Sequence, residues 1–234
     1  MTVTSIRREL RQMANPDRAH ISQRFFKTGP GEYGEGDRFV GLTVPQVRKL
    51  AKQYRQLSLT ETKRLLCSPI HEERLLALLI LVGAFAKADE AGQRRIYEFY
   101  LRSTKFINNW DLVDCSAEHI VGAHSRSRLS QLARSKSLWE RRIAVLATLH
   151  FIKRGEFAPT LAIARQLLRD REDLIHKAVG WMLREVGKRD LPVEEAFLRQ
   201  HYRQMPRTML RYAIERLPEA RRQCYLKGTI NGKD

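Results

Sequence analysis

Apolar residues recur at steps of three and four along nearly the whole chain, and this periodicity limits the fold more than any other feature. It is clearest in the segments EERLLALLILVGAFAKA, ERRIAVLATLHFIKR and LIHKAVGWMLREVGKRD. Because an α-helix turns once in about 3.6 residues, this spacing gathers apolar side chains on one helix face. No stretch of useful length alternates apolar and polar residues as a half-buried strand does. The sequence therefore predicts an all-α protein.

A weak repeat runs through these helices. Small or branched residues inside similar motifs mark it at Ala77, Ala144, Val179 and Ala213, with intervals of 67, 35 and 34 residues. The first interval is twice the others, which implies an unmarked repeat near residue 111. A period in the mid-thirties with two helices per unit is typical of HEAT or TPR solenoids. We predict a HEAT-like helical-repeat solenoid with a concave face, formed as a single domain over residues 1–234. The last residues, about 228–234, are expected to form a flexible tail.

The charge of the chain points to a polyanionic partner. Lysine and arginine number 43 against 26 aspartates and glutamates, which gives a formal net charge of +17. Arginine makes bidentate contacts with phosphate, so an excess of this size indicates nucleic acid first. We therefore predict that the solenoid has a concave basic DNA-binding face. A well-solvated basic surface or an acidic protein partner is the alternative.

Other features of composition predict a cytoplasmic protein. No apolar run approaches the roughly 20 residues of a membrane span, and the N-terminus lacks the apolar centre of a signal peptide. The three cysteines, Cys67, Cys115 and Cys224, are far apart and odd in number. They favour a reducing compartment over a disulfide framework. We expect no membrane association.

Several motifs of common enzyme classes are missing from the sequence. There is no HExxH, no paired CxxC, no HxE followed by PCxxC, and no GxSxG. Cys115, His119 and His124 lie near one another, but three loosely spaced residues without a fourth are more often ordinary positions than metal ligands. The sequence predicts no metal and no cofactor.

The glycine-rich segment 29–38 resembles a phosphate-binding loop only superficially. It lacks the GK[ST] ending, and its carboxylates, Glu32, Glu35 and Asp37, would repel phosphate. We interpret it as a folded turn, after which Thr43 caps a helix that begins near Pro45.

Tryptophans set among cations are the remaining candidates for function. Trp110 and Asp114, four residues apart, share one helix face. A second set forms a stripe suited to a DNA backbone, with steps of four, three and four residues: Lys177, Trp181, Arg184 and Lys188. Core packing is the preferred interpretation for Trp139. Asp111 could cap a helix, pair with an arginine or support the site.

The chain resembles the AlkD-like DNA glycosylases over most of its length. The resemblance rests on FFKTGPGEYGEGDRFVGLTVPQVRKLAK, NNWDLVD, LWERRIAVL and KAVGWMLREVGK. It implies that Asp114 is the active-site aspartate and that Trp110 and Trp181 face the lesion and its sugar. It also implies that Arg142 clamps a phosphate, with Arg141 as the other candidate for that role.

The family's chemistry sets further expectations by resemblance. These are base excision repair of duplex DNA, hydrolysis that releases positively charged 3-methyladenine and 7-methylguanine, and action without base flipping. No residue marks a Schiff-base lysine, so the expected product is an abasic site without strand cleavage. We expect a monomer. The alternative is a non-catalytic helical-repeat module that binds nucleic acid or an acidic protein.

Overall fold

The computed structural model describes residues 2–230, and within this range the chain is helical, with no β-strand. The α-helices are α1 Val3–Gln12, α2 Pro16–Phe25, α3 Val44–Gln53, α4 Leu59–Leu66, α5 His71–Phe85, α6 Glu90–Arg102, α7 Trp110–Asp114, α8 Leu129–Ala133, α9 Leu138–Ala147, α10 Leu149–Ile152, α11 Ala158–Gln166, α12 Asp173–Gly187, α13 Leu191–His201, α14 Arg207–Ala213 and α15 Glu219–Lys227. Short 3₁₀ turns lie at Thr104–Phe106 and Ile214–Arg216, and a π-helical turn lies at Glu118–Gly122. The all-α prediction is confirmed.

The described residues divide into two compact units, 2–120 and 121–230. In a helical-repeat chain each repeat packs mainly on its neighbours, so such a division does not decide the number of domains. The single-domain assignment therefore stays a prediction. Of the predicted tail, residues 231–234 lie outside the described range, and Gly228 ends α15 in the left-handed conformation.

Helix α5 is the central element of the first unit. It packs against α3, α4, α6 and α7 and is buried nearly all round, as an apolar helix at the centre of a unit must be. Its first turn departs from this pattern, because four ionisable side chains are buried there: His71, Glu72, Glu73 and Arg74. Each of them has a partner from another segment, and these partners position the candidate site.

Helix α12 has the same central position in the second unit. It packs against α9, α11, α13 and α14, and Val179 and Met182 are among its buried residues. The four residues that mark the predicted repeat are buried in four different helices, α5, α9, α12 and α14. The unmarked repeat expected near residue 111 coincides with α7. The structure therefore agrees with a helical-repeat fold.

The glycine-rich segment is a folded turn, as predicted. The backbone N–H of Gly29 donates to Glu32 and that of Gly31 donates to Glu35, so the loop satisfies its own donors with its own carboxylates. Thr43 is the N-cap of α3 and forms a capping box with Gln46.

The chain that follows this turn is fixed to α5. The buried carboxylate of Glu72 accepts from the backbone N–H groups of residues 40–42 at 2.8–3.3 Å. Gly41, at φ +84°, passes so close to the Asn15 carbonyl that a side chain there would collide with it. Within residues 2–230, no helix is long and apolar enough to cross a membrane.

Candidate active site

Trp110 and Asp114 lie at the two ends of the short helix α7 in the first unit. The helix begins here because Asn109 caps it, its side-chain oxygen accepting from the Trp110 N–H at 2.8 Å. Asn109 is fully buried and its amide nitrogen also donates to Asp37 at 3.3 Å. The start of α7 is thus fixed to the glycine-rich turn.

The indole of Trp110 belongs to a layer of aromatic rings. Phe26 stacks on it with ring centroids 5.2 Å apart and planes at 18°, and Phe39 in turn stacks on Phe26 at 5.0 Å. Phe25 meets Trp110 edge-on at 5.9 Å and is itself 63% exposed. Stacked pairs of this kind contribute about 0.5–1.5 kcal/mol beyond their buried area. The layer holds the indole in one orientation.

Beneath this layer, a buried charge network joins three segments of the first unit. His71 on α5 contacts Asp111 of α7 at 2.7 Å through Nε2 and Asp37 of the glycine-rich turn at 3.0 Å through Nδ1. Arg74, one turn further along α5, pairs with the second oxygen of Asp37 at 2.6 Å. Asp111 also accepts from the Leu112 N–H at 2.9 Å. Of the three roles weighed for Asp111, the cap belongs to Asn109 instead, and the charged partner of Asp111 is a histidine rather than an arginine.

This network keeps His71 protonated at neutral pH. Burial alone would lower the pKa of His71, but hydrogen bonds to Asp111 and Asp37 outweigh it and raise the pKa to about 9. Burial raises the pKa of Asp37. The hydrogen bond from His71 and the charge of Arg74 outweigh burial, so the pKa of Asp37 lies below its usual range. Each group is therefore charged and stabilised by an opposite charge.

Asp114, at the other end of α7, lines a cleft of about 850 Å³ between α3 and α5. The apolar residues that line the cleft include Leu79, Val82 and Ala84. Four exposed cations line it as well, at Arg48, Lys52, Arg55 and Lys87. Trp110 is not among the lining residues. The aspartate is thus the single carboxylate in a cationic cleft.

Cys115 and His119 line the same cleft, whereas His124 belongs to the second unit. Burial raises the pKa of the Cys115 thiol, and the charges of Asp111 and Asp114 raise it further. Both effects favour the neutral thiol over the thiolate.

In the second unit, both candidate arginines for the phosphate clamp lie on α9 and contact protein acceptors. Arg141 donates to both carboxylate oxygens of Asp170, at 2.7 and 3.3 Å, and to the carbonyls of Ser135 and Lys136. Arg142 is 5% exposed and donates to the Leu174 carbonyl at 2.6 Å. The donors of Arg141 are thus directed mainly at protein groups.

The predicted stripe on α12 is present, but its cations are paired. Lys177 lies 2.8 Å from Asp173, Lys188 lies 2.6 Å from Glu185, and Arg184 pairs with Glu215. The Trp181 indole N–H donates to Glu185 at 3.2 Å. Trp139, expected in the core, is only half-buried.

Sequence reasoning missed two groups that the structure brings to Asp111 and Asp114. The first is the pair of His71 and Asp37, which lie 40 and 74 positions from Asp111 and have no spacing relation to it. The signal for them was the run HEER at the start of an otherwise apolar helix. The second is the set of cations that line the same cleft as Asp114, where Arg48 and Lys52 lie one helical turn apart.

Comparison with known proteins identifies the family to which the chain belongs. Within the described residues the chain is all-helical, and Asp114 lies in a cleft lined by four cations. The sequence model of the family described as DNA alkylation repair enzyme matches residues 6–217, and the chain belongs to this family.

A solved structure with a similar fold is described as a predicted DNA alkylation repair enzyme from Enterococcus faecalis. The match has a TM-score of 0.67 and 16% sequence identity and covers 88% of this chain and 97% of that one. A comparison with curated proteins gives no match.

Proposed function

We propose that the protein is a monofunctional DNA glycosylase of base excision repair. It hydrolyses the N-glycosidic bond of positively charged alkylated purines in duplex DNA, 3-methyladenine and 7-methylguanine above all. The family membership supports repair of alkylated DNA. The position of Asp114, the single carboxylate in a cleft with four cations, carries the assignment of the catalytic group.

The chemistry needs little more than a well-placed carboxylate. Alkylation at N3 or N7 gives the purine a positive charge, so the base leaves neutral when the C1′–N bond breaks and takes the bonding electron pair. Positive charge develops on the deoxyribose, and Asp114 stabilises it electrostatically. Water then adds to C1′ and gives its proton to Asp114, which completes hydrolysis to an abasic site.

Trp110 and Trp181 have a selective role in this proposal. The face of an indole attracts a cation by about 0.5–2 kcal/mol, so it favours a charged base or sugar over neutral purines. Part of the selectivity then comes from the lesion itself, and no deep pocket for a flipped base is required. The enzyme acts as a monomer.

Phosphate contacts position the duplex. Arg142 is the proposed clamp, on the resemblance, and Arg141 is less suited because Asp170 and two carbonyls hold its guanidinium. Because Arg142 is itself 5% exposed and donates to the Leu174 carbonyl, it must turn outward to reach a phosphate. Three cations of α12 contribute to duplex binding where phosphates displace their carboxylate partners: Lys177, Arg184 and Lys188. Breaking these ion pairs costs free energy, which reduces their contribution to the affinity.

The test is release of methylated purines from duplex DNA by the wild type and by Asp114→Asn. Loss of electrostatic stabilisation of the transition state predicts a fall in single-turnover rate of at least about 100-fold. Binding to undamaged duplex stays equal or becomes tighter because one carboxylate no longer repels phosphate. Glu90→Gln removes an exposed carboxylate of the same unit and serves as the control. A wild type that binds duplex but releases no base identifies a non-catalytic module instead.

A further inference from the structure

The two ring nitrogens of His71 face two different carboxylates, and this arrangement requires a proton on each nitrogen. Nδ1 lies 3.0 Å from Asp37, and Nε2 lies 2.7 Å from Asp111. An ionised carboxylate only accepts hydrogen bonds, whereas a neutral imidazole has one N–H donor and one acceptor nitrogen. Both contacts are therefore hydrogen bonds only when the ring is an imidazolium. Loss of the proton turns one of them into a lone pair that faces a carboxylate.

The imidazole is enclosed on its faces as well as at its two nitrogens. Phe39 stacks on it with ring centroids 4.5 Å apart, and the ring of Phe26 lies at 4.9 Å. The charged groups that face it come from three elements, which are α5, the glycine-rich turn and α7: Arg74, Asp37 and Asp111. Because His71 is 2% exposed, bulk water does not replace a hydrogen bond that the ring loses.

Both carboxylates are connected to the short helix α7. Asp111 lies within this helix. The Asp37 oxygen that faces His71 also accepts from the side-chain amide of Asn109, the N-cap of α7, at 3.3 Å. A helix of five residues closes few backbone hydrogen bonds, so its orientation depends on side-chain contacts. Loss of either contact of His71 therefore loosens the attachment of α7.

We propose that His71 is a positioning residue for Asp114 and that base release requires the imidazolium form of its ring. The inference rests on the proposed function, because base release is the activity that it governs. Asp111 and Asp114 are three residues apart and are neighbours on the surface of α7. A contact that fixes Asp111 to α5 therefore also fixes the position of Asp114 in its cleft. Displacing a reacting group by about 1 Å costs about 100-fold in rate.

The surroundings of the ring set the pH at which base release is lost. Burial lowers the pKa of His71, but the hydrogen bonds to Asp111 and Asp37 outweigh it and raise the pKa to about 9. The imidazolium is thus present at neutral pH, and the rate of base release falls as the pH rises through about 9. Asp111→Asn removes one of the two charges that raise this pKa, so it moves the fall to lower pH.

The experiment measures the single-turnover rate of base release from methylated duplex between about pH 6 and 10. The enzyme-free rate is subtracted at each pH, and circular dichroism gives the folded fraction, so that rates refer to folded enzyme. Asp111→Asn keeps the shape of the side chain and an acceptor for the imidazolium. We expect it to keep the wild-type rate at the acidic end and to lose activity at lower pH than the wild type does.

Two further variants complete the comparison. His71→Gln carries no titrating group, so its rate is roughly 10–100-fold below the wild type at neutral pH and shows no alkaline fall, while its Kd for undamaged duplex is unchanged. Asp89→Asn is the matched control. It removes another carboxylate of the first unit, and asparagine caps α6 as well as aspartate does. The pH profile of this control should equal that of the wild type.

Hydrogen exchange provides a measurement that does not depend on activity. Residues 108–116 include α7, and their amides should exchange faster in Asp111→Asn than in Asp89→Asn at the same pH. Active enzyme whose alkaline fall has the same midpoint in the wild type and in Asp111→Asn contradicts the positioning role alone. A wild type that releases no base contradicts the glycosylase, and the exchange comparison then decides the positioning of α7. Equal exchange in the two variants overturns it.

Discussion

His71 Nε2 lies 2.7 Å from Asp111 Oδ2, and this contact connects the central helix α5 to the helix that carries Trp110 and Asp114. The histidine is 2% exposed and has a second carboxylate, Asp37, at 3.0 Å on its other ring nitrogen. A charged imidazole between two carboxylates therefore joins α5 to both α7 and the glycine-rich turn. Asp114, the proposed catalytic residue, lies at the opposite end of that helix.

The His71 network predicts a pH-dependent stability. A group whose folded pKa is raised stabilises the fold fully below its unfolded value, about 6.5, and this contribution is lost as the pH rises through the folded value of about 9. We expect the thermal midpoint of the wild type to fall between about pH 6.5 and 9. His71→Gln is less stable at neutral pH by about 3–5 kcal/mol and lacks this fall. A wild-type midpoint constant over this range contradicts the prediction.

Loss of the aromatic stack at Trp110 should reduce activity more than binding. Phe26→Leu keeps an apolar side chain but removes the parallel ring at 5.2 Å. The cost in stability is about 0.5–1.5 kcal/mol, measured by urea unfolding, and the rate of base release falls because the indole is less well held. The matched change, Phe25→Leu, removes only the edge-on contacts of an exposed ring with Phe26 and Trp110. Equal effects of the two variants on base release exclude this role for the stack.

The two arginines of α9 should give opposite results. Arg142→Ala lowers the salt slope of duplex binding by about 0.9, as expected when one phosphate is no longer neutralised. Arg141→Ala leaves the slope unchanged but lowers stability, because Asp170, 6% exposed in its side chain, loses its partner. Fluorescence anisotropy and thermal unfolding measure the two effects. A change of slope in Arg141→Ala alone transfers the clamp to that residue.

Gly34 in the glycine-rich turn should not accept a side chain. A methyl group there collides with the carbonyl of Phe26 and lies 3.3 Å from the Asn109 amide nitrogen. Gly34→Ala is therefore expected to cost about 1–3 kcal/mol and to slow base release by displacing Asp37. Gly31→Asn is the control, because Gly31 has positive φ, which asparagine tolerates, and open space around it. A stable, fully active Gly34→Ala means that the turn does not hold the site.

Glu194 provides a prediction for the second unit. Burial, followed by the charge of Glu195, raises the pKa of Glu194 to about 8. In the unfolded chain this carboxyl ionises near 4.5, so its effect is to lower stability as the pH rises from 4.5 to 8. Glu194→Gln should raise the thermal midpoint at the upper end of this range by roughly 3 °C or more and have little effect at the lower end. An equal shift at both pH values excludes ionisation as the cause.

Local features were the part of the structure that the sequence could predict. The Thr43 cap, the helical face that carries Lys177 and Trp181, and a helix near residue 111 follow from spacing over a few residues. The pairing of Lys177 with Asp173 was also visible as a four-residue step. Such pairs reduce the free charge of a basic stripe, and counting cations alone misses this effect.

Contacts between distant segments were not predictable in this way. His71, Asp37 and Asp111 meet only because α5, the glycine-rich turn and α7 pack together, and no spacing rule relates them. The cationic cleft likewise depends on α3 lying beside α5. The periodicity of a single sequence predicts each helix and its apolar face. The charge network and the cleft depend instead on which helix faces pack against one another.

The buried network has a consequence for the order in which the first unit folds. Its members lie 34 and 40 residues apart along the chain, so closing them requires two long loops, and contacts of this range form late. A nascent chain that ends before Asp111 must leave His71 and Asp37 without their third partner. We expect such a chain to remain sensitive to proteases until α7 emerges from the ribosome. Helix α7, which bears the proposed catalytic aspartate, would then be the last member of the buried network to pack against the first unit.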